Sequence, residues 1–264
     1  MKILNFLFSR SKQEQDKPIR DKLKTRKDFE RVLAEDLDIM ETTKARMDTA
    51  KNINLYMYRS LSYSYILILQ SKYSVDAKID ELRDIYIKSM HYFLQAFNKR
   101  NPIYADILNY VSLGVLLNIP DAYFRQLIDY VEQMDKLAKP SGWIPDLLLW
   151  FMLNSRMKEQ EKQKYAETLA YPRLYNGLYK VIQAPNAAAA KDALNKYLDR
   201  WYNLNSNAPW YNSHLKDNSY RGYWAWEVAA VAKIMHIDDS DLKNNQYYPY
   251  DMVHWADNET TAKE

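Results

Sequence analysis

Glu227 is the residue of this sequence whose surroundings best suit chemistry. It follows an aromatic segment and precedes the apolar run from Val228 to Ala232, so we expect its carboxyl group to be largely buried. A buried carboxylate needs a charged or hydrogen-bonded partner, and it can act as an acid catalyst when a second carboxylate lies about 5–10 Å away. The pattern favours instead a structural hub, in which Glu227 bonds to a Tyr hydroxyl, a Trp N–H or an Arg. The candidate hub consists of Tyr223, Trp224, Trp226 and Glu227.

A group of aspartates follows this segment, and such a group can bind a cation or a basic partner. The group comprises Asp238, Asp239 and Asp241. An EF-hand loop also needs a Gly and a closing Glu at fixed spacing, and both are absent. We therefore predict that the aspartates cap a helix that begins near Leu242. Further along, Asp251 precedes His254 by three residues, a spacing more typical of a local hydrogen bond than of a metal site.

The composition argues against several classes of active site. The chain has no Cys, which rules out thiolate chemistry and disulfides and suits a reducing cytoplasm. Only 4 Gly occur in 264 residues, and no phosphate-binding or dinucleotide-binding glycine pattern is present. The 4 His form no HExxH-like pair, and no Ser-His-Asp order is found. We therefore predict a protein that is not an enzyme, with no catalytic residues, no cofactor and no metal ligands.

Helical periodicity runs through most of the chain. Between residues 23 and 50, apolar side chains recur at helical spacing and form one stripe. Residues 53–69 fit either a strand or a buried helix, and their helical neighbours favour a helix. The charged run from Met157 to Lys164 fits a solvated helix face or a turn, and a helix is expected to continue from it towards Tyr171. The sequence predicts an all-α fold of about nine or ten helices in a single compact array with N- and C-terminal subdomains.

A cluster of Pro, Ser and Gly at residues 139–142 is the best internal boundary. We expect a flexible basic N-terminus over residues 1–20, an N-terminal helical subdomain over 21–139, a C-terminal helical subdomain over 140–256 and a tail over 257–264. Residues 1–33 carry ten basic and five acidic side chains, whereas residues 206–264 carry five and nine. The run from Ile3 to Phe8 is too short for a secretory signal. No apolar segment approaches the ~20 residues of a membrane span.

The motifs of the C-terminal part resemble those of a known family. They comprise Tyr220-x-Gly222-Tyr223-Trp224-x-Trp226-Glu227, Ile237-Asp238-Asp239-Ser240 and Tyr247-Tyr248-Pro249-Tyr250-Asp251, preceded by Tyr197-Leu198-x-x-Trp201-Tyr202, Trp210 and His214. Together they resemble the C-terminal signature of the PoNi proteins, the immunity proteins of polymorphic nuclease effectors (PoNe). The specific motifs cover roughly residues 195–255, whereas residues 25–140 match in length and helical pattern. Trp226 departs mildly from the pattern, because a smaller aromatic such as Phe is expected there.

The resemblance implies an all-helical protein that binds and neutralises a cognate DNase toxin. Such toxins pass between bacteria, often by type VI or related secretion, and the producer keeps the immunity protein in its cytoplasm. The implied partner is therefore a protein, with no direct contact to nucleic acid or membrane. The acidic C-terminal part motivates a set of candidate toxin-binding residues, and the alternative is the acidic face of the first three helices. The candidates are Asp238, Asp239, Asp241 and Asp251.

Two other function classes stay open at this point. One is a helical-toroid hydrolase that uses Glu227 and an Asp among aromatic walls, which a deep pocket with two facing carboxylates would support. The other is a nucleic-acid-binding regulator that uses the basic residues 10–31, which a steep salt dependence of DNA binding would support.

Overall fold

The computed structural model describes residues 18–96, 103–216 and 218–255. Within these ranges the regular structure consists of ten α-helices, one π-helix and three short 3-10 helices, and the one β-type pairing is an isolated bridge between Asp146 and Thr168. The all-α prediction is confirmed. The run from Ile3 to Phe8, most of the N-terminus expected to be flexible, and the tail 257–264 lie outside the described residues.

Packing groups the chain into two compact units. Of the described residues, unit 1 contains 18–96, 212–216 and 218–223, and unit 2 contains 103–211 and 224–255. The chain therefore passes between the units after residue 96, at residue 211 and at residue 223. The subdomains expected over 21–139 and 140–256 stay a prediction.

Unit 1 is built on three helices, α1 (Arg26–Thr49), α2 (Leu55–Ser74) and α3 (Ile79–Gln95). Helix α1 starts at a capping box, in which the Thr25 hydroxyl accepts from the Asp28 N–H and the Asp28 carboxylate accepts from the Thr25 N–H. Helix α2 packs against both neighbours, and its Leu61, Tyr65 and Ile68 are buried at helical spacing. The ambiguous residues 53–69 therefore form a helix, as predicted.

Buried carboxylates attach the segment 212–223 to the helices of unit 1. Arg221 donates two hydrogen bonds to the buried Asp36 of α1, with Nε–Oδ2 at 2.6 Å and Nη2–Oδ1 at 2.8 Å. The hydroxyl of Tyr220 donates to Asp21, whose other oxygen accepts from the N–H groups of Leu23 and Lys24. Each buried charge therefore has the donors that burial requires.

Unit 2 contains seven α-helices. They are α4 (Tyr104–Leu116), α5 (Asp121–Gln133), α6 (Leu147–Asn154), α7 (Pro172–Ile182), α8 (Ala187–Leu204), α9 (Trp226–Met235) and α10 (Tyr250–His254). Helix α7 has Pro at its first position, and Asn186 caps α8 through a hydrogen bond from the Ala189 N–H. A π-helix, Met134–Ala138, follows α5 directly.

The helix expected to continue towards Tyr171 is absent, and that prediction is wrong. Residues 162–171 follow an irregular path, because several of their backbone N–H and C=O groups form hydrogen bonds with side chains and not with the carbonyl groups of a helix. Asn154 accepts from the Gln163 N–H and donates to the Gln163 carbonyl, at 2.9 and 2.8 Å. Asp146 accepts from the Ala170 N–H at 2.7 Å.

Two buried carboxylates join the elements of unit 2. Asp146 caps α6 by accepting from the Leu149 N–H at 2.8 Å, and the same oxygen accepts from the Tyr104 hydroxyl of α4 at 2.9 Å. Asp135, in the π-helix, accepts three hydrogen bonds from aromatic side chains. The donors are Trp143 Nε1 at 2.7 Å, Trp150 Nε1 at 2.7 Å and the Tyr165 hydroxyl at 2.9 Å. The π-helix thus turns a carboxylate towards three donors from later parts of the chain.

Helices α7 and α8 approach closely at Gly177. A Cβ atom placed on Gly177 would lie 2.7 Å from Cδ2 of Tyr197, which is buried on α8. The Tyr197 ring is held in place because its hydroxyl donates to the Leu174 carbonyl of α7 at 3.0 Å. The lack of a Cβ atom at Gly177 therefore permits the short distance between the two helices.

Replacing Gly177 with Ala is expected to destabilise the protein by roughly 1–3 kcal/mol, the usual cost of overpacking a core. At an open helical position, replacing Gly with Ala stabilises a protein by about 1 kcal/mol. The sign of the change in unfolding free energy therefore distinguishes a close helix contact from an open position. Urea denaturation measures the difference, with exposed Asn176→Ala on the same helix as the control. A Gly177→Ala variant as stable as the wild type would contradict the close approach.

Candidate functional site

Glu227 lies in the first turn of α9 and is buried among aromatic side chains. Its Oε1 accepts from Trp201 Nε1 of α8 at 2.6 Å. Helix α9 packs mainly against α4, and its Ala229, Ala230 and Ala232 are fully covered, which permits the close contact expected from their size. The residue therefore joins α9 to α8, as a structural hub does.

Burial raises the pKa of Glu227 to about 7, although the hydrogen bond from Trp201 opposes that rise. The carboxyl group in turn affects its neighbours: burial first, and the Glu227 charge next, raise the pKa of the Tyr197 hydroxyl well above its ordinary value. A group that titrates near neutrality in a filled core changes stability with pH. Glu227 itself is 6% exposed.

The four residues predicted as one hub are all buried, and they belong to two compact units. The Trp224 and Trp226 rings lie 6.1 Å apart in unit 2, the unit that also holds Glu227. Tyr223 belongs to unit 1, where its hydroxyl lies 3.1 Å from Ser213 Oγ and 3.0 Å from His214 Nδ1. Tyr223 thus organises the 212–223 segment.

Trp201 also carries a cluster of aromatic rings at the surface of unit 2. Its ring stacks on Trp210 with centroids 5.4 Å apart. Next to it, Tyr202 lies between Tyr211 and Tyr247, with ring centroids at 4.5 and 5.4 Å. The hydrogen bond from Trp201 to Glu227 fixes the ring on which this cluster is built. The aromatic motif is therefore largely a packing device.

Asp239 does not cap a helix, so the capping prediction is wrong for this residue. No α-helix begins near Leu242; the segment forms a 3-10 helix, Ser240–Leu242. The Asp239 carboxylate is buried, and it accepts from the Tyr248 hydroxyl at 2.7 Å and lies 2.8 Å from His254 Nε2. His254 thus pairs with Asp239, a partner that its spacing from Asp251 did not suggest. This residue fixes the fold of the turn.

The other two aspartates of the turn are exposed and share one cation. Lys191 of α8 lies 2.8 Å from Asp238 Oδ2 and also pairs with Asp241. Lys191 forms a hydrogen bond with each carboxylate and thereby holds the pKa of Asp238 and the pKa of Asp241 below their ordinary values. Both carboxyl groups are therefore charged at neutral pH. Asp238 also accepts from the Ser240 N–H at 3.2 Å. Asp251 is exposed on α10. Of the four candidates, three therefore face solvent.

Within residues 18–96, 103–216 and 218–255, no group of three His, Asp or Glu side chains is arranged to hold a metal ion. Among the helices of those same ranges, none combines the length and apolarity that crossing a bilayer requires.

The buried carboxylates Asp21, Asp36, Asp135 and Asp146 were not predicted as organising residues. A signal for one of them is present in the sequence: Asp36 falls between Leu33 and Met40 on the apolar stripe of α1. An acid at a core position of an amphipathic helix indicates a buried pair. Its partner Arg221 is 185 residues away, so the sequence does not identify it.

The Glu227→Gln variant is expected to flatten the pH dependence of stability. The folded-state pKa of about 7 lies above the ordinary value of 4.5, so the protonated form favours folding. The contribution of Glu227 to the free energy of unfolding is fully present below pH ~4.5. It is lost as the pH rises to ~7, and the total loss is about 3 kcal/mol. Glutamine stays neutral and still accepts from Trp201.

Urea denaturation of both proteins at pH 5, 6, 7 and 8 measures the effect. The variant should gain on the wild type as the pH rises, because contributions from all other groups cancel in the difference. A difference between the two unfolding free energies that is the same at every pH would contradict the assigned environment of Glu227.

Comparison with protein families gives two matches. The model of the N-terminal part of the PoNe immunity proteins (PoNi) matches residues 11–129, and the model of the C-terminal part matches residues 144–252. Comparison with curated proteins gives no significant match.

Among solved structures, the chain is similar to protein PA2201 from Pseudomonas aeruginosa. The two share 18% sequence identity with a TM-score of 0.71, over 97% of this chain and 95% of that chain. At this identity the likeness shows the fold, and it agrees with the all-helical architecture. The family rests on the two model matches. Because they cover consecutive parts and together most of the sequence, this chain belongs to the PoNi family of PoNe immunity proteins.

Proposed function

We propose that this chain binds a cognate PoNe toxin of the DNase type and blocks its cleavage of DNA in the producing cell. The match of both PoNi models to consecutive parts of the chain carries this proposal. The toxin is delivered to competing bacteria by type VI or related secretion, and the immunity protein acts in the cytoplasm. Several features support an inhibitor that works by binding, since the conspicuous buried acids of both units are engaged in holding the fold.

Electrostatics provides a physical basis for the inhibition. A DNase must attract phosphate groups, so the surface around its active site is basic. Acidic side chains on an inhibitor accelerate association with such a surface, which matters when a toxin must be caught before it cuts DNA. The inhibitor can cover the active site or hold an adjacent site, and either contact benefits from this complementarity.

The exposed aspartates of the C-terminal part are one candidate contact surface. Asp238, Asp241 and Asp251 face solvent, whereas Asp239 is committed to Tyr248 and His254. Lys191 already neutralises part of the charge of Asp238 and Asp241. The acidic side of α1 is the other candidate, and there Glu35 and Asp38 form no ion pair with any described residue.

An in vitro cleavage assay tests the proposed function. The purified chain, added in equimolar amount to its cognate PoNe toxin, should abolish cleavage of plasmid DNA. An unrelated pancreatic-type DNase is the control, and its cleavage should continue at the same rate. Full cleavage by the PoNe toxin in the presence of a tenfold excess of the chain would overturn the proposal.

The same preparation decides on the nucleic-acid-binding alternative. If the basic residues 10–31 bind DNA, the chain alone will shift a labelled duplex at low salt, and the binding will weaken steeply as salt is added. The toxin-binding proposal predicts no such shift, because inhibition acts through the toxin and leaves the DNA free.

A further inference from the structure

The hydrogen bond from Trp201 to Glu227 connects the core of unit 2 to aromatic side chains near its surface. Both residues are buried, and Trp201 Nε1 lies 2.6 Å from Glu227 Oε1. A hydrogen bond to an ionised carboxylate is roughly twice as strong as one to a neutral acceptor. The strength of the contact that holds the Trp201 ring therefore depends on whether Glu227 carries a proton.

Five rings form a group around Trp201, which we call the aromatic cluster: Trp201, Tyr202, Trp210, Tyr211 and Tyr247. Trp201 is the buried member of the cluster, and the other four are half-buried. The Trp201 ring stacks on Trp210 and lies 5.5 Å from the Tyr247 ring. The Tyr247 ring in turn stacks on Tyr202, with an angle of 5° between the two planes. A change in the position of Trp201 therefore affects the packing of the whole cluster.

Three tyrosine hydroxyl groups interact with the charge of Glu227. They belong to the three helices α4, α7 and α8, which all contact α9, and they are those of Tyr104, Tyr175 and Tyr197. Burial is the main cause that raises the pKa of each hydroxyl, and the negative charge of Glu227 raises it further. All three hydroxyl groups therefore stay protonated between pH 5 and 8.

The remaining titratable groups of the elements packed against α9 have contacts of their own. Helix α6 has no titratable side chain, and Asp146, which caps it, accepts three hydrogen bonds. In α10, His254 lies 2.8 Å from Asp239 and its ring contacts that of Tyr250, while Asp251 is exposed. On α9 itself, Lys233 donates to a carbonyl group of α4 at 3.2 Å.

Protonation of Glu227 has two effects of opposite sign. It removes a charge from a buried position, so it favours the folded state of the chain as a whole. It also replaces a charged acceptor with a neutral one, so it weakens the hydrogen bond that holds Trp201. As the pH falls, the free energy of unfolding should therefore rise while the aromatic cluster becomes less ordered.

We propose that the proton on Glu227 switches the aromatic cluster between an ordered and a loosened arrangement. With Glu227 ionised, the Trp201 ring is held and the rings stay stacked. With Glu227 protonated, the contact lengthens and the cluster gains mobility, while the helices of unit 2 stay packed. Since burial raises the pKa of Glu227 to about 7, the change falls near neutral pH. This switch is a property of the free chain and goes beyond the proposed function, because it requires no toxin.

NMR spectra of the full chain, labelled with 15N in its tryptophan side chains, test the first step between pH 5 and 8. The indole proton of Trp201 should move upfield as the pH falls, with a midpoint near 7. The Trp201→Phe variant identifies this signal, because the signal is missing from its spectrum. In Glu227→Gln the step should vanish, since a neutral acceptor stays in place at every pH.

A matched control is Glu167→Gln, which removes an exposed acid of the same unit and should keep the step. Asp146, whose pKa burial raises, is unchanged in both variants. The comparison of the two variants therefore assigns the step to Glu227.

Hydroxyl-radical footprinting with mass spectrometry tests the second step, the loosening of the cluster. Oxidation of the buried Trp201 should be about fivefold faster at pH 5 than at pH 8, which reflects the difference between a charged and a neutral hydrogen bond. In Glu227→Gln the rate should be the faster one at both pH values. Urea denaturation at the same pH values verifies that the fold as a whole is not weakened at pH 5.

Each result bears on the switch. A Trp201 signal that stays constant from pH 5 to 8 in the wild type refutes it, and this measurement decides even where the glutamine variant does not fold. A step that persists in folded Glu227→Gln assigns the titration to another group and overturns the inference. A step without any change in Trp201 oxidation also overturns it, because Glu227 then titrates without moving the cluster. None of these results alters the proposed function, since no measurement includes the toxin.

Discussion

The hydrogen bonding of buried carboxylates is the constraint on which the structure depends. An ionised carboxylate removed from water costs several kcal/mol unless donors surround it. Here the donors are largely aromatic: Trp143, Trp150 and Tyr165 serve one carboxylate, and Trp201 serves another. A chain with 23 Tyr and 7 Trp has many such donors, and each one also fills core volume. Packing and polar satisfaction are thus achieved by the same side chains.

This arrangement separates the acids into those that hold the fold and those that remain for a partner. Asp239 stands in the same short turn as Asp238 and Asp241, yet it is buried against Tyr248 while its neighbours face solvent. Sequence motifs shared by a family naturally include residues of the first kind. A surface that must fit one toxin is better sought among the side chains that the fold leaves exposed to solvent.

The sequence predicted most of the helices but not the pairs of residues that join them. The helical neighbours of residues 53–69 predicted α2 despite its strand-like alternation, and Leu61, Tyr65 and Ile68 are indeed buried at helical spacing. The apolar run after Glu227 indicated that this residue is buried and bonded, but it could not select Trp201 among many aromatic donors. Asp239 was misassigned because capping is a local interaction, whereas its actual donors come from residues 248 and 254. Long-range partners depend on tertiary packing, which a single sequence does not specify.

Hydrogen–deuterium exchange of the chain with and without its PoNe toxin tests the central claim most directly. The claim is that this PoNi protein binds its toxin through exposed side chains, while the buried carboxylates and the aromatic residues around them maintain the fold. The account predicts slower exchange on binding in an exposed segment and unchanged exchange in the buried helix α9, residues 226–235. No protection in any segment would contradict it.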